Sequence, residues 1–426
     1  MAGTTGRTTA DPSRGKAILK ELIVTPQTEE KLWTRNFGTI LVSHFIFYLG
    51  FYMLTPTLPL YIRSLGGGAE QIGLVTTGYA MASVIMRFAV PFLQEKYSRM
   101  VLLRIGIVAA LALAVVYCFI RSMEGVVLIR LLQGMGFGLV TTFAGAMAAD
   151  AVPTTRLGEG ISLFGMATTG AVAFSPALGL LVMNRFGFTP MFVAAAAVIS
   201  VSAVTWSTVS LPEPPRAPAA AEGKLSFWSR IYDTRIALQT VLLICFGVAR
   251  GSLQSFLTVM ADEEGLSMIT VYFIVETGVT FAFRFVSRKW YDRRGPGSLV
   301  LLGGLMSAFS FYLFSVTRSN ALLLSAAVSN GIALGAIVPT FQAWIMEEVG
   351  AQHRTLGSAL YFNISDFGTA AGAAVMGVVA SHTGYHGAFR VVMFVMLAYV
   401  AIYLVWTHGR KRRADGERRG SGLKGN

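Results

Sequence analysis

The chain is 426 residues long, 54% hydrophobic and only 13% charged, with a mean hydropathy of +0.60, whereas a soluble chain carries roughly a quarter charged residues. Too few polar groups are present to cover a fold in water, which leaves lipid as part of its solvent. A net charge of +13 does not mark a nucleic-acid binder, because the cations fall in short stretches between apolar runs and form no single basic face.

Apolar stretches long enough to cross a bilayer, about 20 helical residues each, fall near 36–62, 72–94, 100–120, 124–149, 158–183 and 187–210, then 236–261, 266–289, 298–317, 320–346, 356–381 and 385–407. The expected fold class is therefore an all-α membrane protein with 12 transmembrane helices. Lysine and arginine crowd alternate connections: Lys96 and Arg99 after the second segment, Arg156 after the fourth, Arg230 and Arg235 before the seventh, Arg293 and Arg294 after the eighth. The other connections hold scattered cations and the acidic run Asp262-Glu263-Glu264. Cations stay on the cytoplasmic side, so both termini are expected there, in the cell's inner membrane.

Taken in order, the N-terminal stretch 1–35 is polar, and the first segment carries His44 beside Phe45, Phe47 and Tyr48. A histidine in such a setting is more often packed and hydrogen-bonded than a proton relay, and the aromatics suit either core packing or an apolar pocket. The fourth segment contains LIRLLQGMGFG, in which Arg130 must face an internal partner or water, because a cation in hydrocarbon costs several kcal/mol. The fifth contains GMATTGAVAFSPALGLL, whose Pro176 and small residues allow a bent, closely packed helix. A proline- and alanine-rich linker, 211–235, divides the chain. The seventh segment carries Arg250 near its middle, the eighth Glu276, the tenth Gln342, and the eleventh reads YFNISDFGTAAG with Tyr361, Asn363 and Asp366. The tail 409–426 is basic and is expected to lack regular structure beside anionic lipid.

The halves on either side of the linker repeat. A shift of 197 residues places Arg87-Phe88 on Arg284-Phe285, Gln133-Gly134 on Asn330-Gly331, Gly138 on Gly335, Asp150 on Glu347 and Gly160 on Gly357. One offset over three separate segments implies two six-helix bundles, 36–210 and 236–408, related by an axis along the membrane normal, with a site at their interface.

With these residues in view the chain resembles the major facilitator superfamily, closest to its twelve-helix drug/proton antiporters. The connection RFAVPFLQEKYSRM is similar to the family's G-x-x-x-D-R-x-G-R-K loop motif in Glu95, Lys96 and Arg99, with Pro91 and Ser98 in place of its glycines. The second copy, RKWYDRRGPG, supplies Asp292, Arg293 and Gly295. Arg130, Gln133 and Gly134 match the R-x-x-Q-G motif, which in proton-coupled relatives is linked to proton handling. Pro176 and Gly179 match part of the antiporter motif, which marks exporters. The resemblance implies a cytoplasmic gate of Glu95, Arg99, Asp150, Asp292 and Arg293, in which the acid pairs with a neighbouring helix end, the arginine pairs with Asp150, and such a pair can latch the two bundles.

Two free-standing cysteines in apolar runs give neither a disulfide framework nor ligand spacing for a metal, and no phosphate-binding loop or nucleophile triad is present. An intramembrane enzyme is thus disfavoured, no cofactor is expected, and energy must come from a gradient. A carboxylate withdrawn from water can gain and lose a proton near neutral pH. Asp366 or Glu276 is therefore expected to carry a coupling proton, with Arg130 assisting, while Arg250 pairs with one of them or with an anionic group on the substrate. His44, Tyr48, Asn363, Gln342 and Tyr361 complete the expected substrate site. The function implied is proton-coupled export of a small, drug-like organic molecule by alternating access. Export of a charged metabolite such as a carboxylate-bearing metallophore, or uptake of a sugar or organic acid, remains open. The expected partners are that small molecule, protons and membrane lipid, without nucleic acid, and the working unit is a monomer.

Overall fold

The computed structural model describes residues 32–153, 156–211, 236–349 and 354–422, and these contain helices and connections with no strand. The helices are α1 (Arg35–Ser64), α2 (Ala69–Lys96), α3 (Arg99–Val116), α4 (Met123–Asp150), α5 (Leu157–Phe186), α6 (Phe188–Ser207), α7 (Ala237–Glu263), α8 (Ile269–Arg294), α9 (Gly297–Val316) and α10 (Asn320–Val349). The last helical stretch runs from Arg354 to Gly422 and is interrupted at Gly384, whose φ of 71° lies in the left-handed region. Its apolar part, Leu360–His408, is 49 residues long. At ~1.5 Å per residue this is more than twice the ~30 Å of hydrocarbon, so it makes two crossings, α11 (354–383) and α12 (385–422). An even number of crossings returns both ends of the chain to one side. The linker residues 212–235 lie outside the described residues. The tail departs from expectation, since α12 continues to Gly422. Its arginines, alanine and glutamate are good helix formers, and α12 supplies the nucleus from which they extend.

Short polar residues set the helix starts. The hydroxyls of Thr34, Ser98 and Ser122 accept from the backbone N–H groups of Phe37, Val101 and Gly125, at 3.1, 3.3 and 3.3 Å, which satisfies donors that lipid could not. Within α1 the helix breaks at Met53, between Arg35–Tyr52 and Leu54–Ser64. Pro56 explains the break: it brings no N–H to the Tyr52 carbonyl one turn back, and its ring crowds that carbonyl.

Glycine lets α4 approach α2, and α10 approach α8, in the same way. A methyl group at Gly134 would meet the Tyr79 carbonyl oxygen and Ala82, and one at Gly331 would meet the Glu276 carbonyl oxygen and Val279. At Gly138 it would meet the Ser83 carbonyl oxygen at 2.7 Å, and at Gly335 the Thr280 carbonyl oxygen at 3.0 Å. Each contact in the first half maps onto one in the second by the 197-residue shift, so the repeat read along the sequence recurs in packing, as small residues serve close helix contact in lipid.

The first six and last six helices meet along α2 on α11, α5 on α8 and the end of α1 on α7, with a smaller contact of α2 on α7. The contacts between them run from the end where α1 finishes towards the middle. Arg63 donates to the Val259 carbonyl at 3.1 Å and lies 3.6 Å from Asp262 and 3.2 Å from Glu263. Ser381 donates to Glu70 at 2.9 Å, Ser255 to Thr76 at 3.0 Å, Thr77 to the Ala370 carbonyl at 3.0 Å, and Thr277 to the Ala173 carbonyl at 2.6 Å. Phe92, Phe119, Phe285 and Val405 point outward, as a lipid-facing surface requires.

Replacing Gly138 by valine should lower the unfolding free energy in detergent micelles by about 1–3 kcal/mol through overpacking against α2. Valine at Gly165, where an added methyl meets nothing within 4 Å, should leave the thermal midpoint close to that of the parent.

Candidate functional site

A cavity lies between the two helix sets. Tyr52, Thr76, Tyr79 and Arg130 line it from the first six helices, and Arg250, Gln254, Asp366 and Thr369 from the last six. Tyr52 reaches it from the break in α1, and Arg130 from the part of α4 that glycine holds against α2. The Arg130 guanidinium carbon lies 5.2 Å from the centroid of the Tyr79 ring, and its Nη1 donates to Gln133 Oε1 at 3.4 Å. The same oxygen accepts from the Tyr117 hydroxyl at 3.2 Å. Arg130 is thus buried against a ring face and an amide oxygen, with no acid bonded to it among the described residues.

Asp366 makes the shortest ion pair joining the two sets. Arg87 on α2 donates from Nη1 to Asp366 Oδ2 at 2.7 Å and to Asn363 Oδ1 at 3.2 Å on α11, and from Nη2 to Thr141 at 3.4 Å on α4. Asn363 and Asp366 lie three residues apart, so one helical face presents both acceptors to one guanidinium. The Arg87 side chain is 13% exposed and that of Asp366 31%, against 35% and 64% for Arg63 and Asp262 at the end of the seam. The deeper pair is therefore the less screened by water.

Glu276 takes a different place. It is buried on α8 and accepts from the Tyr272 hydroxyl at 3.0 Å and from the Asn330 amide of α10. Its partners all belong to the last six helices. The expected pairing of Arg250 with an acid is not observed: among the described residues Arg250, half-buried at the cavity wall, forms no ion pair or hydrogen bond, and neither Asp366 nor Glu276 is bonded to it. The reason is competition. Arg87 already occupies Asp366, and two neutral donors already satisfy Glu276.

Other expected site residues scatter. His44 is buried, shares a 2.8 Å hydrogen bond with Thr168 on α5 and stacks on Phe164 with ring centroids 4.0 Å apart, so it packs α1 on α5 and does not line the cavity. Tyr48 is likewise buried between the rings of His44 and Tyr52. Tyr361 is buried edge-on to Phe362, and Gln342 is half-buried on α10; neither lines the cavity.

At the end that carries the termini, Arg99 Nη1 meets Asp150 Oδ2 at 2.9 Å, as the motif implies. Both residues belong to the first six helices, so this pair braces α3 on α4 and does not latch one set to the other. Glu95 and Arg293 are exposed, Glu95 with no partner among the described residues, and the Asp292 side chain lies outside those described. In the second half the offset partner of Asp150, Glu347, accepts from the Tyr291 hydroxyl at 2.8 Å.

Arg87, Tyr79, Tyr52, Tyr272 and Asn330 are the functional candidates that motif reading passed over. For Arg87 a signal existed, a cation well inside an apolar segment, and the repeat had marked it through Arg284. Nothing in the sequence paired it with a residue 279 positions away.

The sequence model of the Major Facilitator Superfamily matches residues 40–373 and 279–424. The staphylopine export protein of Staphylococcus aureus is 20% identical over 83% of this chain and 91% of its own length. The multidrug resistance protein MdtG of Proteus mirabilis is 24% identical over 88% and 95%. The crystal structure of the nucleoside transporter NupG aligns with a TM-score of 0.67 at 14% identity, covering 87% of this chain and 99% of that one, a likeness of fold.

Because Asn330 supplies a donor to a buried carboxylate, Asn330→Ala should lower the unfolding free energy by about 1–3 kcal/mol. Gln342→Ala, which removes no described hydrogen bond, should change it by about 0.5 kcal/mol or less. Thermal unfolding of both purified variants separates the two outcomes.

Proposed function

The chain belongs to the major facilitator superfamily, and from that premise we propose that it is a proton-coupled secondary active transporter that exports a small organic molecule by alternating access. On this reading it spans the cytoplasmic membrane with both termini inside the cell, and works as a monomer, since one chain builds the whole cleft. The observation that carries the reading is the Arg87–Asp366 pair, which ties the two helix sets together beside the cavity.

A proton arriving on Asp366 cancels its charge and leaves Arg87 without its counter-ion in a poorly hydrated seam. Removing one partner of a buried pair costs about 3–5 kcal/mol. Turning a two-state equilibrium from 1:99 to 99:1 needs about 5.5 kcal/mol, so one proton supplies most of a conformational switch and bound substrate the rest. The outer contacts of Arg63 with Asp262 and Glu263 are half exposed and worth under about 1 kcal/mol each. They close the far end without locking it. Glu276, held by Tyr272 and Asn330, serves to fix α8 to α10 in this scheme. Similarity to proteins named for staphylopine export and multidrug resistance supports export over uptake.

Everted membrane vesicles test this, with an acridine dye reporting the pH gradient and solutes drawn from those that cells with the chain release and cells without it retain. Addition of a substrate should dissipate the gradient in the parent, and Asp366→Asn or Arg87→Gln should reduce that response at least tenfold. Undiminished coupling in Asp366→Asn would overturn the proposal.

A further inference from the structure

The charges around the cleft do not balance. Arg130 from the first helix set and Arg250 from the second line one cavity. Asp366, the acid in that wall, is already taken by Arg87. Arg87 and Asp366 cancel, and the two remaining arginines have no carboxylate bonded to them among the described residues, Arg250 meeting the charge of Glu276 only through space.

The other seam adds to the excess. The 197-residue shift that relates the halves carries Arg87 to Arg284, and it sets Thr169 where an acid equivalent to Asp366 would stand. Arg284 lies two helical turns beyond Thr277, the residue through which α8 bonds to α5, so it shares that face. It is only partly exposed, and its Nε has no hydrogen-bond partner. One seam thus holds an arginine with its acid, and the matching seam holds an arginine with no acid paired to it among the described residues.

Uncompensated guanidinium groups shielded from water are costly unless something anionic meets them. A guanidinium presents a planar fork of donors that fits an oxyanion with two bonds at once. Tyr79 holds the Arg130 fork by its ring face and Gln133 takes one Nη1–H through a long 3.4 Å bond, which leaves the other N–H groups to turn to a ligand, and Gln254 and Thr369 add neutral polar groups beside Arg250. We propose that the solute carried in this cleft is a small organic anion, its carboxylate or phosphate group gripped between Arg130 and Arg250. The inference rests on the transport reading only for the word "carried": the anion site stands on the charges alone. Because the two arginines belong to different helix sets, the anion draws the sets together as it binds, and a cationic drug meets repulsion in the same place.

Thermal unfolding of the purified full chain in lipid nanodiscs, at constant ionic strength, tests the proposal with four probes: citrate, glucose 6-phosphate, the trimethyl ester of citrate, and ethidium. Citrate or glucose 6-phosphate should raise the midpoint in a saturable way, and which of them does so tells carboxylate from phosphate. The ester and ethidium should not. Arg250→Gln and Arg130→Gln should weaken anion binding at least tenfold, while Arg250→Lys, which keeps the charge, should recover part of it and guards against a merely misfolded variant. Stabilisation by ethidium in place of the anions, no stabilisation by either anion, or anion affinity within twofold of the parent in both glutamine variants would overturn it. Anion binding without proton coupling in vesicles would remove the coupling scheme and leave the site. Coupled movement of ethidium would do the reverse.

Discussion

A charge surrounded by packed helix and lipid must find its opposite within the chain, in trapped water or on a ligand. Arg87 finds Asp366 across the seam between the two helix sets, 2.7 Å away and mostly shielded. Other ionisable residues of the interior are met differently. Glu276 is left to neutral donors, Arg130 to a tyrosine ring and a glutamine oxygen, and Arg250 to the cavity. The economy of acids follows from the medium: each buried charge costs several kcal/mol, so few are present and few are duplicated.

Glycine serves close packing both within each set and along the seam of α2 with α11. Inside, backbone touches backbone, with Gly134, Gly138, Gly331 and Gly335 admitting neighbouring carbonyls so closely that no side chain would fit. Between the sets, Gly73 of α2 comes as close to the Ala373 carbonyl of α11, and the seams add single hydrogen bonds, a few ion pairs and ring contacts such as Phe174 with Phe281, at 6.2 Å. Seams that carry exchangeable polar contacts suit rigid-body rocking of one helix set on the other.

Helix number and approximate limits were legible because hydrocarbon permits one local answer for a long apolar stretch. The break in α1 was legible in principle from Pro56 but needed the carbonyl it orphans to be considered. The Arg99–Asp150 contact followed from motif resemblance. Its confinement to one helix set did not, since a motif records residue types and not which surface they brace. His44 and Tyr48 looked like site residues because aromatic and imidazole groups serve pockets and cores alike, and only the contacts of His44 with Phe164 and Thr168, and of Tyr48 with Tyr52 and Phe137, put them in the core.

Sequence alone determined that the chain lives in lipid, crosses it in twelve helices, and repeats itself at a spacing of 197 residues. These are properties of composition and period, each readable within a helix or between aligned helices. Tertiary structure decided which charges neutralise which: that Arg87 and not Arg250 bonds Asp366, and that neutral donors, Tyr272 and Asn330, bond Glu276. Pairing depends on distances of a few ångströms between residues hundreds of positions apart, and both the Coulomb energy of a pair and the bonds it makes are set by that separation, which residue type does not record.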